Sequence, residues 1–160
     1  MNRIVCMRNG KNKNQTECVF SDGRIIQFNQ SAEHMLDSWC MQNGSNMNGR
    51  IISFRHITGC RQKPGVLISE RTQIIYFPTL SSKNPACTWI CFNEVFRFHS
   101  MKADQTIIQF ASGIKIMIDV NYRIIRNQMN RCRSFLNLLN NAYSSDMVQT
   151  EAMNGIMSKV

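Results

Sequence analysis

The sequence predicts an α+β fold: antiparallel β hairpins and a meander, two short helices, and a long C-terminal helix packed on the sheet. Two periodicities predict it. Apolar residues alternate with period two in short runs, as at Thr106, Ile108 and Phe110 and again at Ile114, Ile116 and Ile118. From Asn121 or Tyr122 the spacing changes to three and four, through Ile125, Met129, Cys132, Leu136 and Leu139. Size is the third observation. The chain has 160 residues, 43% of them hydrophobic, which suits one domain with its own core.

Residues 1–16 carry four positive charges and no acid, and read as a basic arm or, at Arg3–Met7, a short strand. Glu17–Phe20 and Arg24–Phe28 form a hairpin around Ser21-Asp22-Gly23, because Asp-Gly supplies positive φ angles. Ser31 caps a helix running to Cys40 or Met41, with Met35, Leu36, Trp39 and Cys40 on its apolar face. After the Asn43-Gly44-Ser45 break, Met47, Ile51, Phe54 and Ile57 recur at helical spacing and Gly59 supplies the stop. A strand is the competing reading of Ile51–Ile57.

Ile74–Phe77 ends at Pro78, and a Thr/Ser/Asn/Pro turn leads to a second apolar run opened by Trp89. Pro78 and Pro85 cannot donate to a ladder and restrict the residues before them, so the stretch is a rigid strand–loop–strand corner. Glu94–His99 alternates, with Phe96 and Phe98 expected inward and Val95, Arg97 and His99 outward. The following hairpin requires a three-residue loop, Ala111-Ser112-Gly113. That length pairs Phe110 with Ile114 and Ile108 with Ile116, whereas a two-residue loop would exchange the faces. The long helix is expected to reach about Tyr143, leaving Ser144–Val160 as a tail of short helix or disorder. The resulting division is 1–16, 17–143 and 144–160.

Nineteen basic residues against ten acidic ones give a net charge of +9, which favours a polyanionic partner. No apolar run approaches the roughly 18–20 residues of a membrane helix, and the first ten residues are too short an apolar stretch for a secretory signal, so a cytoplasmic protein is expected. The seven cysteines contain no C-x-x-C pair and read as buried free thiols, with no metal or cofactor implied. His34, His56 and His99 belong to no motif, and phosphate loops and H-E-x-x-H or G-x-S-x-G signatures are absent, so no catalytic constellation assembles.

Acids cluster in Glu17–Asp37, while residues 1–16, residues 50–63 and the long helix are basic and nearly acid-free. On that helix Arg123, Arg126 and Arg133 fall within about 80° of each other, away from the apolar stripe. Arginine suits bidentate phosphate contact and insertion into a narrow minor groove. The candidate DNA contacts are therefore Arg50, Arg55, Arg61, Lys63, Arg123, Arg126 and Arg133, with Lys83 and Lys115 as outer phosphate contacts. Asn127, Gln128, Asn130, Asn137, Asn140 and Asn141 suit either a nucleic-acid contact or a wet helix face.

The corner Ile74–Ile90 resembles the signature corner of the ComK family of bacterial competence transcription factors. Glu17-Cys-Val-Phe, Ser31–Asn48, Phe110-Ala-Ser-Gly-Ile and the basic segment Tyr122–Phe135 follow the family's order of elements. The resemblance covers roughly residues 17–140. It implies a cytoplasmic, nucleoid-associated activator that works as a homodimer or tetramer on double-stranded AT-rich promoter DNA. Such an activator reads AT-rich boxes largely through the minor groove, with RNA polymerase as a further partner. Family members carry more sequence after the long helix, often with a segment read by proteolytic adaptors, and Ser144–Val160 contains no aromatic residue. Two rivals remain. One is a non-activating relative that modulates a longer family member through protein–protein contact. The other is an RNA-binding module, for which no RNP-type aromatic pair is present.

Overall fold

A computed structural model of the chain describes residues 1–158. Six strands form one antiparallel sheet: β1 (Ile4–Asn9), β2 (Thr16–Phe20), β3 (Ile25–Phe28), β4 (Val66–Ser69), β5 (Ile74–Pro78) and β6 (Thr88–Cys91). Their order is β3-β2-β1-β6-β5-β4. A 3-10 turn, Phe92–Glu94, leads into a three-stranded meander of β7 (Val95–Lys102), β8 (Gln105–Phe110) and β9 (Lys115–Ile118). The helices are α1 (Ala32–Met41), α2 (Met47–Thr58) and α3 (Tyr122–Met157).

The β4–β6 half of the larger sheet is buried on both faces, whereas the edge strand β3 is exposed. Along β4, β5 and β6 successive side chains enter opposite cores: Leu67, Ile75, Phe77 and Ile90 one, and Val66, Ile68, Tyr76, Trp89 and Cys91 the other. The first core is completed by Ile108, Phe110 and Ile118 of the small sheet and by Ile125, Met129, Cys132 and Phe135 of α3. The second is closed by Met35, Leu36 and Cys40 of α1. Strands wetted on neither face carry continuous apolar runs, which is why Val66-Leu-Ile and Ile75-Tyr-Phe lack alternation. Phe54 of α2 stacks on Phe135 of α3, with ring centroids 4.8 Å apart.

Local signals decide most element ends. The Ser31 side chain accepts from the His34 amide, Asn46 caps α2, and Gly59 ends α2 at φ 72°. In the second hairpin the Phe110 amide donates to the Ile114 carbonyl (2.8 Å), Ile108 faces Ile116, and Gly113 sits at φ 94°. The three-residue loop is therefore the one formed.

Three expectations change and one open alternative is settled. Phe96 does not face inward: Val95 pairs with Phe110 and Arg97 with Gln109, so Phe96 is the extra residue of a bulge and is 68% exposed. Val95, expected outward, packs inward in its place, and Phe98 faces inward as expected. Of the two readings of Arg3–Met7 the strand holds: the stretch contributes to β1, between β2 and β6 in the middle of the larger sheet. Finally, α3 runs unbroken past Tyr143 to Met157, its last fourteen residues fully outside the core and exposed.

Candidate nucleic-acid interface

The strand registers bring three separate loops to one end of the larger sheet. Arg8 faces both Glu17 and Thr88, so the β1–β2 turn and the β5–β6 connection share that end. Pro78 faces Trp89, and Val66 faces Tyr76, which places the 60–65 approach to β4 there too. Across the sheet the order is the 10–15 turn, the 79–87 loop, then the 60–65 loop.

Each loop is held by its own hydrogen bonds. Gly10 N donates to Gln15 O (2.8 Å), and the Asn12 carboxamide oxygen accepts from the Asn14 amide (2.9 Å). Thr79 and Thr88 close the base of the middle loop, Thr79 N to Thr88 O (2.9 Å) and Thr88 N to Thr79 Oγ1 (3.0 Å). At its tip Asn84 N donates to Ser81 O and Cys87 N to Asn84 O. The 60–65 loop is fastened by Gln128 of α3, whose Nε2 donates to Lys63 O (2.9 Å) and Pro78 O (2.6 Å). Gln128 Oε1 accepts in turn from Arg131 Nη1 (3.1 Å). Gln128 is only 2% exposed and so leaves the wet face assigned to it from sequence, while Asn127, Asn130, Asn137, Asn140 and Asn141 remain exposed.

Two clefts flank the middle loop. One, of about 600 Å³, is lined by Arg55, Arg61, Lys63 and Lys83 over Met47, Ile51, Pro78 and Trp89. The other, of about 620 Å³, is lined by Lys11, Lys13 and Lys83, by Ser31–Glu33 at the start of α1, and again by Trp89. Among the described residues the ion pairs are Arg3–Glu94, Arg8–Glu17, Arg24–Asp22 and Arg50–Glu70, and none uses a cleft cation. Burial and then the neighbouring Arg131 guanidinium push the Lys63 ammonium below the usual lysine range, so an anion at that cleft relieves an existing strain on its charge.

Four of the nine candidate contacts, Arg55, Arg61, Lys63 and Lys83, are thus brought together. Arg123, Arg126 and Arg133 are exposed on α3, opposite its buried stripe, and line neither cleft; Lys115 is exposed on β9 of the other sheet. Arg50 is a correction. Its guanidinium is buried beneath α2, bonded to Glu70 (3.1 Å) and Asn43 O (3.1 Å), and cannot reach a phosphate. Lys11 and Lys13 were not singled out, although the acid-free charge of residues 1–16 and the Asn9-Gly10 turn carried the signal.

The histidines lie on α1, α2 and β7, all three exposed. Six of the seven thiols are buried and Cys60 is half-buried; burial pushes Cys6 up to about 12 and Cys18, Cys40 and Cys91 up to about 11. No described helix is long and apolar enough to cross a membrane. What the sheet end offers is cationic side chains, unpaired among the described residues, on hydrogen-bonded loops around two clefts, a surface suited to a polyanion.

The family model described as ComK protein matches residues 3–144. The chain belongs to the ComK family. The match takes in β1 and ends where α3 leaves the core. The chain is also similar to the competence transcription factor of Bacillus subtilis (strain 168), 30% identical over 117 residues, or 73% of this chain. It spans 58% of the length of that relative. No solved structure matches it.

Proposed function

We propose that this ComK-family chain is a DNA-binding transcription regulator that activates competence genes by recognising AT-rich boxes through the minor groove. The carrying observation is the group Arg55, Arg61, Lys63 and Lys83, gathered at one sheet end with no carboxylate paired to any of them among the described residues. Capture begins with phosphate contact and counterion release; specificity follows from the width and deformability of A·T tracts. Arg123, Arg126, Arg133 and Lys115 are outer phosphate contacts to flanking DNA. Two or more subunits place copies of the surface on successive helical turns, next to RNA polymerase in the cytoplasm.

The test is a salt-dependent titration with AT-rich and GC-rich duplexes of equal length. Tighter binding to AT-rich DNA with a steep negative salt slope supports the reading; equal binding to both, or none at low ionic strength, refutes it. In the same titration Arg126→Ala with Arg133→Ala reduces the slope by up to about 1.8 while keeping the AT preference. An unchanged slope removes α3 from the contact.

A second reading, a modulator acting through protein contact, is favoured by one feature: Met147, Val148, Met153, Ile156 and Met157 stand 65–76% exposed on the α3 extension. A chain of this kind fails to shift AT-rich duplex by itself.

A further inference from the structure

We propose that the 79–87 loop is a ridge that enters the minor groove while the clefts on either side receive the two phosphate backbones. Lys11 and Lys13 grip one strand, and Arg55, Arg61 and Lys63 grip the other. The inference rests on the DNA-binding reading above and assigns its geometry.

The sheet order carries it. Residues 81–86 are all exposed, and the loop they form stands between the 10–15 turn and the 60–65 loop. Ser82, Lys83 and the buried Trp89 line both clefts, so the two share one wall and one floor. A single ridge with a row of cations on each side complements a groove between two rows of phosphates. The major groove, roughly 12 Å wide, is filled by a helix or a two-stranded ribbon, whereas a single irregular loop suits the roughly 6 Å minor groove.

The ridge is also preorganised. Its tip is closed by Asn84 bonds to Ser81 O and Ala86 N, its base by the Thr79–Thr88 pair, and Asn9 Nδ2 donates to Pro85 O (2.8 Å), tying it to the first hairpin. The side chains of Ser82, Lys83, Lys11 and Lys13 make no hydrogen bond or ion pair among the described residues. They are free to meet a ligand without dismantling the loops. Among the described residues Glu33 is the one carboxylate lining either cleft, and it opposes the strand held by Lys11 and Lys13.

Three variants of the full chain, checked for unchanged thermal unfolding, test this by salt titration. Lys11→Ala with Lys13→Ala reduces the slope of log K against log salt by about 1.8 and leaves the AT-to-GC ratio intact. Ser82→Ala with Lys83→Ala reduces the slope by about 0.9 and lowers that ratio about tenfold. Glu33→Gln tightens binding. Replacing guanine by inosine in the GC-rich duplex removes the minor-groove amino group and leaves the major-groove pattern unchanged, so the inosine duplex binds like the AT-rich one. If the parent prefers AT-rich DNA but neither double variant alters slope or ratio, the ridge is wrong and the regulator reading stands. An inosine duplex that binds like the guanine duplex overturns the groove assignment. A parent that binds no duplex overturns both readings.

Discussion

Replacing Gln128 with leucine tests how the cleft is held. Gln128 lies in the apolar stripe of α3, 2% exposed, and its Nε2 is shared between Lys63 O and Pro78 O at 2.9 and 2.6 Å. Leucine keeps the helix and nearly fills the volume, so the loss is confined to the hydrogen bonds. Pro78 O is buried and keeps no donor from this side chain, which costs about 1–3 kcal/mol; Lys63 O is half-exposed and recovers part of its loss from water. The sum is about 2–4 kcal/mol. With a urea m-value of about 2 kcal/mol per molar, the unfolding midpoint falls by roughly 1–2 M at unchanged m. On the proposed DNA-binding reading, affinity for AT-rich duplex falls as well, because Lys63 and the root of the 79–87 loop lose their common anchor. A midpoint shift corresponding to less than about 0.5 kcal/mol would refute the claim that this side chain fastens the cleft wall.

The remaining predictions separate structural from exposed roles. Phe96→Ser is neutral within about 0.5 kcal/mol because the bulge leaves the ring in water, whereas Phe98→Ser destabilises by losing a half-buried ring that packs on Tyr122 at 5.2 Å; equal effects would contradict the bulge. Arg50→Ala costs roughly 1–3 kcal/mol, below the range for a fully buried pair because the Glu70 side chain is 58% exposed, while Arg55→Ala on the same helix leaves stability unchanged in denaturant titration. A thiol reagent at pH 8 labels Cys60 fast in the native protein and all seven cysteines only after unfolding; rapid labelling of more than one native thiol overturns the burial pattern. Since burial pushes the Cys6, Cys18, Cys40 and Cys91 thiols up to about 11 to 12, against 9.0 for an unburied thiol, the unfolded chain releases these protons first as pH rises. Their contribution to stability is complete below pH 9 and is lost between pH 9 and about 12, so the thermal midpoint declines over that window, measured with reductant present.

What could be read from the sequence was local. The register of the Phe110–Ile114 hairpin followed from the rule that a one-residue slip exchanges faces, and Ser31, Gly59 and Asn121 mark helix ends by chemistry within a few residues. The failures share the opposite property. Val66–Ser69 has no alternation because both faces of β4 are covered, so no period identifies it as a strand. The bulge at Phe96 inverts an alternation that otherwise reads cleanly. Arg50 and Gln128 carry polar atoms that look wet until Glu70, Lys63 and Pro78, twenty to sixty-five residues away, supply their partners. Half of the candidate site was visible as composition, since the basic segments stand out. Their meeting was not visible, because it depends on β1 lying beside β6, a pairing that no neighbouring residue announces.

That pairing also explains why so much positive charge is tolerated. A net +9 on one domain repels itself, and the cost rises as cations converge. Four of the ten acids are taken up by arginines: Glu17, Asp22, Glu70 and Glu94 pair with Arg8, Arg24, Arg50 and Arg3 on strands, turns and α2. The loops at the cleft end of the sheet keep their cations out of ion pairs among the described residues and draw their rigidity from backbone, asparagine, threonine and glutamine hydrogen bonds instead. Stability and charge are thereby carried by different groups. Had the loops been fastened by carboxylates, the same contacts that held them would have cancelled the field they present. A surface that is rigid and still unpaired has the property needed to bind an extended anion without first breaking bonds of its own.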